Sequence, residues 1–182
     1  VGNGTANAMA QGRIWVAGNT GARCMTMTKH NPRFGPPQLW VLGSVGDYFA
    51  EFMAGGMAVI CGHQPQNPDN ILGYRPCVGM VGGKIFFRGP HQGYSQVDAV
   101  QEPVSDQDWA WLEAGLLEFG QRIQQEELCP ELCRREQWQC LRARTPQEKR
   151  GLPRPGMDSF RNLVWDRELG QGGLIGDISS ED

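Results

Sequence analysis

Three stretches of this chain align with one another without a gap. Met9-Ala-Gln-Gly12-Arg-Ile14-Trp-Val16-Ala-Gly18, Met53-Ala-Gly-Gly56-Met-Ala-Val59-Ile-Cys-Gly62 and Met80-Val-Gly-Gly83-Lys-Ile85-Phe-Phe87-Arg-Gly89 share one pattern: Met, two residues, Gly, five residues, Gly. Such self-similarity constrains a chain strongly, because each repeat is a unit that cannot bury its apolar side alone and must stack on its neighbours. A fourth strand-like run, Leu39-Trp-Val41-Leu-Gly43, lies between the first two and also ends in glycine. A second glycine comes soon after three of these runs: Gly18 then Gly21, Gly43 then Gly46, Gly89 then Gly93.

The pattern reads as a short strand, a glycine-assisted bend, another strand and another bend, repeated at steps of roughly 20 residues. It predicts a mainly β fold, a right-handed parallel β-helix, with Ile14, Val16, Val41, Val59, Ile85 and Phe87 forming inward ladders. Gly12, Gly18, Gly56, Gly62, Gly83 and Gly89 are the expected structural corner glycines, placed where a side chain would forbid the backbone angle or the close stacking of neighbouring corners. A β-sandwich is the competing reading, since its strands are also short and end in glycine turns.

Composition divides the chain. Residues 1–100 hold 17 of the 25 glycines, with seven basic and four acidic residues; residues 101–182 hold ten basic and 16 acidic ones. A boundary near Pro103 gives a repeat domain at 1–103 and a region at 104–182 comprising a C-terminal helix and an extended arm. Ser105-Asp106-Gln107-Asp108 has the form of a helix N-cap with acids in the first turn. Trp109, Leu112, Leu116, Leu117 and Ile123 come next near helical spacing, which predicts a helix over 106–125 packed on the first domain. Trp109 and Trp111 point to different faces of it, so one needs cover from outside the helix. The tail from about residue 126, through Pro146, Pro153 and Pro155 to Phe160-Arg-Asn-Leu-Val-Trp165 and Gly170-Gln-Gly-Gly-Leu-Ile-Gly176, reads as an arm lying across a partner or its own domain. No run of about 18 apolar residues and no signal-peptide pattern occurs, so no membrane partner is expected. A formal net charge of −3 argues against a nucleic-acid partner, which clustered Lys and Arg would bind.

The chemical candidates are weak. Six cysteines without a secretory signal favour reduced thiols. Cys129, Cys133 and Cys140 offer three thiolates where tetrahedral zinc wants four ligands. His30, His63 and His91 lie in three loops near glycine corners and are expected to be solvated or capping. Gly79-Met-Val-Gly-Gly83 lacks the Lys-Ser/Thr of a phosphate loop, and the 170–176 glycines lack dinucleotide spacing. Asp47 and Glu51 have no nucleophile or orienting partner nearby in sequence. No catalytic, cofactor-binding or metal residue is assigned.

Gly2-Asn-Gly-Thr-Ala-Asn-Ala-Met9, Gly43-Ser-Val-Gly-Asp47, Phe52-Met-Ala-Gly-Gly56 with Val59-Ile-Cys-Gly62, and Gly79-Met-Val-Gly-Gly83 with Ile85-Phe-Phe resemble the GXGXG-motif family. That family comprises the C-terminal domain of the large glutamate synthase subunit, its free-standing counterparts and the C subunit of formylmethanofuran dehydrogenase. The resemblance covers roughly residues 1–95 and implies a right-handed β-helix that acts as a scaffold and carries no catalytic residue. It further implies a cytoplasmic subunit of a glutamate-synthase-like oxidoreductase, holding amidotransferase-like and FMN-synthase-like partner subunits together. FMN and iron–sulfur clusters would reside in those partners and not in this chain. The alternatives are a subunit-C-like component of a tungsten or molybdenum formylmethanofuran dehydrogenase, and an independent β-helix binding protein. The chain opens directly in the motif at Val1-Gly2-Asn3, so an upstream strand capping the first turn is also expected.

Overall fold

The computed structural model describes residues 1–152, 163–166 and 171–174. Two compact units divide the chain, Val1–Lys149 and Arg150–Asp182. In the first, strands β1 (Arg13–Val16), β2 (Gln38–Val41), β3 (Ala54–Ile60), β4 (Gly82–Phe87) and β5 (Ala99–Glu102) precede helix α1 (Asp106–Ile123). A single helical turn, α2 (Cys129–Leu132), strand β6 (Gln139–Ala143) and a short helix, α3 (Pro146–Arg150), come after it. In the second unit β7 (Leu163–Asp166) pairs antiparallel with β8 (Gln171–Leu174).

The repeated stretches become β1, β3 and β4, and the Leu39 run becomes β2. These four strands pair in parallel, with Val16 beside Val41, Val41 beside Ile60 and Ile60 beside Phe87. The right-handed β-helix that the repeat predicts is nevertheless not what the chain forms. Parallel pairing stops at β4, where β6 adds antiparallel and β5 pairs antiparallel with β6. The result is one open mixed sheet of six strands in the order β1-β2-β3-β4-β6-β5, an α/β fold with three helices and no solenoid among the described residues. A strand repeat specifies in-register parallel neighbours, which an open sheet satisfies equally well; antiparallel closure by β6 comes from outside the repeated region. Nor is the stretch from residue 126 to 150 an extended arm, since it holds α2, β6 and α3. Most of the tail beyond it, including Pro153, Pro155 and Phe160, lies outside the described residues.

Before β1, and in each connection between the parallel strands, the backbone takes up a second regularity. Positive φ recurs at every second residue: Gly4, Ala6 and Ala8; Arg23, Met25 and Met27; Tyr48, Ala50 and Phe52; Gly73, Arg75, Cys77 and Gly79. These segments hydrogen-bond to one another in register. The outer amides donate forward, as in Gly4 N to Ala22 O, Arg23 N to Asp47 O and Tyr48 N to Tyr74 O. The middle amides donate backward: Met25 N to Thr5 O, Ala50 N to Cys24 O and Cys77 N to Phe49 O. Stacking of this kind leaves no room for side chains at Gly21, Gly46 and Gly73. A Cβ on Gly46 would lie 2.6 Å from the carbonyl carbon of Gly21, and one on Gly73 2.7 Å from the amide nitrogen of Asp47.

The sheet separates two apolar clusters. Between it and the connections lie Val16, Leu39, Val41, Ala58, Ile60, Ile85 and Phe87 with Met25, Phe49, Ala50 and Cys77 from the stacked segments. On the opposite face Trp40, Val59 and Phe86 meet Leu112, Leu116 and Phe119 of α1. Val59 therefore faces the helix and not the ladder side predicted for it, because strand side chains alternate and its neighbours Ala58 and Ile60 take that side. Helix α1 begins where the capping signal places it, with the Ser105 side chain accepting a bond from Asp108 N. Both Trp109 and Trp111 are half-buried against the second cluster. Trp111 lies 5.4 Å from the Trp40 ring and 5.6 Å from that of Phe86.

Gly56 has φ +112°, and a Cβ there would sit 2.8 Å from Pro37 O. Replacing Gly56 with Val is expected to cost about 3 kcal/mol, from backbone strain plus the clash. Gly18→Val, at an open site without positive φ, serves as the neutral control in urea unfolding; equal midpoints for both variants would contradict the placement. Arg75 is exposed at φ 52°. Arg75→Gly should relieve roughly 1–2 kcal/mol of left-handed strain, partly offset by about 0.5–1 kcal/mol of added unfolded-chain entropy. A raised midpoint is the expected outcome.

Candidate interaction surface

The six glycines singled out by the repeat occupy three kinds of position. Gly56 and Gly83 fall inside β3 and β4, at φ +112° and +96°, where two residues of β3 oppose one of β4 in a bulge. Gly12 precedes β1 at φ +89°; Gly62 and Gly89 lie just past strand ends at φ +61° and +140°. Gly18 has no positive φ, and a Cβ there would meet nothing within 4 Å. The bulge places Gly56 and Gly83 within the sheet and not at its corners.

The candidate titratable groups of the sequence are buried or held in separate contacts. Burial pushes the Cys77 and Cys140 thiols up to about 12, and the Cys61 thiol higher still, so thiolates are disfavoured there. Burial also raises Cys129 and Cys133. Cys129, Cys133 and Cys140 do not converge: among the described residues no three His, Cys, Asp or Glu side chains are arranged to hold a metal ion. The histidines have separate settings, His30 Nε2 3.3 Å from Phe34 O and His91 Nε2 3.1 Å from Gln101 Oε1. The Asp47 carboxylate accepts from Tyr74 N, and the Glu51 carboxylate from the Arg23 guanidinium.

The charge asymmetry of the sequence is resolved at the joint between the repeat strands and the helical region. Arg13 pairs with Glu118, Lys84 with Asp108 and Arg88 with Glu131, each joining a basic residue of the first 100 to an acid of the helical region. Arg88, with only 11% of its side chain exposed, also donates to Cys61 O and to Gln137 Oε1. Its bond to Glu131 holds that carboxyl below the ordinary range.

The stacked segments carry the outward surface that remains. Arg23 lies 5.0 Å over the Tyr48 ring, which meets Tyr74 edge-on at 6.0 Å. Four residues further along each segment, past the buried Met25 and Ala50, Met27 and Phe52 are both 55% exposed. With Asn3, Asn7, Thr26 and the Arg23–Glu51 pair they line a shallow cleft of about 390 Å³. Sequence reasoning assigned no role to Arg23, Met27 and Phe52, because exposed side chains at positive φ leave no compositional mark unless the residue is glycine; it weighed Glu51 only as a carboxylate beside Asp47. The groups along the cleft fit contact with another surface better than chemistry: its one acid is paired and its apolar residues face solvent.

The two ends of the stack differ. At the β4 end the chain caps itself: Gly79 N donates to Asp98 Oδ2, Ser95 N to Pro76 O, and Lys149 Nζ to Asp98 Oδ1. At the other end no strand among the described residues lies beyond β1. Burial works against ionised Asp98, yet the bonds from Lys149, Ser95 and Gly79 outweigh it and hold the carboxyl below its ordinary value of 3.8. A depressed carboxyl contributes stability above its unfolded value, and that contribution fades as pH falls from about 3.8 through the lower folded value. Asp98→Asn should therefore lower the urea midpoint at neutral pH and lose less stability than the natural chain on acidification. An identical acid slope in both would contradict this.

No described helix is long and apolar enough to cross a membrane. No curated protein matches the chain. The family model described as the GXGXG motif matches residues 1–112, which spans β1 through β5 and the first turns of α1. Glycine at alternate residues is the spacing that this description names, and it is the spacing at which positive φ recurs in all four stacked segments. By that match over more than half its length, the chain belongs to the GXGXG motif family.

Proposed function

We propose that this chain is a non-catalytic scaffold subunit of a glutamate-synthase-like multisubunit oxidoreductase in the cytoplasm. The observation that carries the reading is the GXGXG motif match over residues 1–112. Amidotransferase-like and FMN-synthase-like sister subunits would supply the chemistry, with FMN and iron–sulfur clusters bound in them. Among the described residues Cys129, Cys133 and Cys140 are not gathered into one donor group, which supports placing the clusters in the sister subunits. Two further features support a structural role. The acids and bases described above are engaged in bonds that hold elements together, and the solvent-facing residues of the stacked segments combine apolar, aromatic and arginine side chains, a composition common at protein interfaces.

The test is gentle affinity purification of the chain from its source cells, with mass spectrometry of the co-purifying proteins and flavin, iron, tungsten and molybdenum analysis. Flavin and iron with an amidotransferase-like partner is the expected result. Tungsten or molybdenum would transfer the chain to a formylmethanofuran-dehydrogenase-like complex. A lone, colourless chain would overturn the scaffold role.

A further inference from the structure

Asn3 is the one asparagine of the chain that a glycine follows, and asparagine is chemically labile where the next backbone nitrogen can reach its side chain. Glycine hinders that approach least, having no Cβ. In the fold a single residue of the next stacked segment holds both reacting groups. Gly4 N, the nucleophile, donates to Ala22 O at 2.8 Å. Asn3 Oδ1, on the amide that would be attacked, accepts from Ala22 N at 2.8 Å. The same register position recurs two segments on, where Asp47 Oδ1 accepts from Tyr74 N, also at 2.8 Å. An aspartate therefore already fills this place in the stack. What the stack does not admit is extra main chain. Gly21 lies so close to the first segment that a Cβ on it would sit 2.8 Å from Asn3 N and 2.9 Å from the carbonyl carbon of Gly2.

We infer that Asn3 is a guarded deamidation site, kept intact by Ala22 while the first two segments are closed and converted when they part. Once the two bonds to Ala22 are broken, Gly4 N attacks Asn3 Cγ. The new C–N bond closes a cyclic imide, and the side-chain nitrogen leaves as ammonia with the proton that Gly4 N gives up. Water then opens the imide. Attack at the former side-chain carbonyl gives aspartate; attack at the main-chain carbonyl gives isoaspartate, whose main chain runs on through Cβ and Cγ and is one carbon longer. Aspartate keeps the bond to Ala22 N, as Asp47 does to Tyr74 N. Isoaspartate drives its longer main chain against Gly21, where no added carbon fits, so the first segment does not return to register. Residue 3 thus converts a passing local opening into a lasting loss of the first segment's seat.

The test follows the full chain at mildly alkaline pH, folded and in guanidinium chloride, by the mass and fragment pattern of the tryptic peptide 1–13. Conversion of Asn3 is expected to be about tenfold or more slower in the folded chain, because it waits on local opening. Equal rates would overturn the guard. Two further measurements separate the products. Asn3→Asp should unfold at the natural chain's urea midpoint at neutral pH, and a lowered midpoint would overturn the equivalence with Asp47. After ageing, the isoaspartate form is resolved by chromatography and its amide hydrogen exchange compared with that of the aspartate form. Exchange at Gly4, Gly21 and Ala22 should be about tenfold or more faster in the isoaspartate form; matching protection would overturn the clash with Gly21.

Discussion

Everything in the first unit depends on how closely consecutive passes of the backbone lie against one another. At Gly21, Gly46 and Gly73 the passes approach so nearly that a single added carbon would strike the main chain of its neighbour. That contact fixes register, and register then places the rest: Val16, Val41, Ile60 and Phe87 line up across four strands because the connections between those strands are themselves in step. The cost is visible in the same segments. Left-handed backbone at Arg23, Met25, Met27, Tyr48, Ala50, Phe52, Arg75 and Cys77 is unfavourable by roughly 1–2 kcal/mol per residue, and it persists because burying Met25, Ala50 and Cys77 and satisfying the shared amides offset it.

A second joint attaches the helix. Trp40 is nearly fully buried, with its ring packed over Gly115 of α1 and its indole N–H bonded to Gln38 Oε1. Trp15, Trp111, Phe86 and Phe119 close around it or its neighbours at 5.2–5.9 Å between ring centres. The ion pairs at this joint are secondary in energy. Arg13–Glu118 and Lys84–Asp108 are partly exposed, and such pairs contribute about 0–1 kcal/mol each; burial of a Trp or Phe contributes more. Their role is orientation: three basic residues spread over β1, β4 and the turn after it meet acids on α1 and α2.

The repeat made the strand positions and their parallel neighbours legible, and Ser105 with its acidic first turn marked the start of α1. The family resemblance came from the same glycine spacing and agrees with the match over residues 1–112. Three things were not legible, each for a physical reason. Whether repeated strands coil into a solenoid or lie in an open sheet is not set by the strand pattern, which asks only for in-register parallel neighbours, and β6, antiparallel to β4, has no counterpart in the repeat. The bulge that puts Gly56 and Gly83 within the sheet arises from a two-against-one count between β3 and β4, invisible in a gapless alignment of single strands. The left-handed segments are hidden because Arg, Met, Tyr and Phe stand where glycine would have announced the angle.

These features converge on the kind of work the chain is suited to. A surface whose side chains sit on stacked, strained backbone has little freedom to rearrange, since shifting one pass breaks bonds to the passes on both sides. That rigidity suits a part that fixes distances between others. The last pass is further held by the chain's own side chains, with Ser95, Asp98 and Lys149 bonded to one another or to the backbone of that pass.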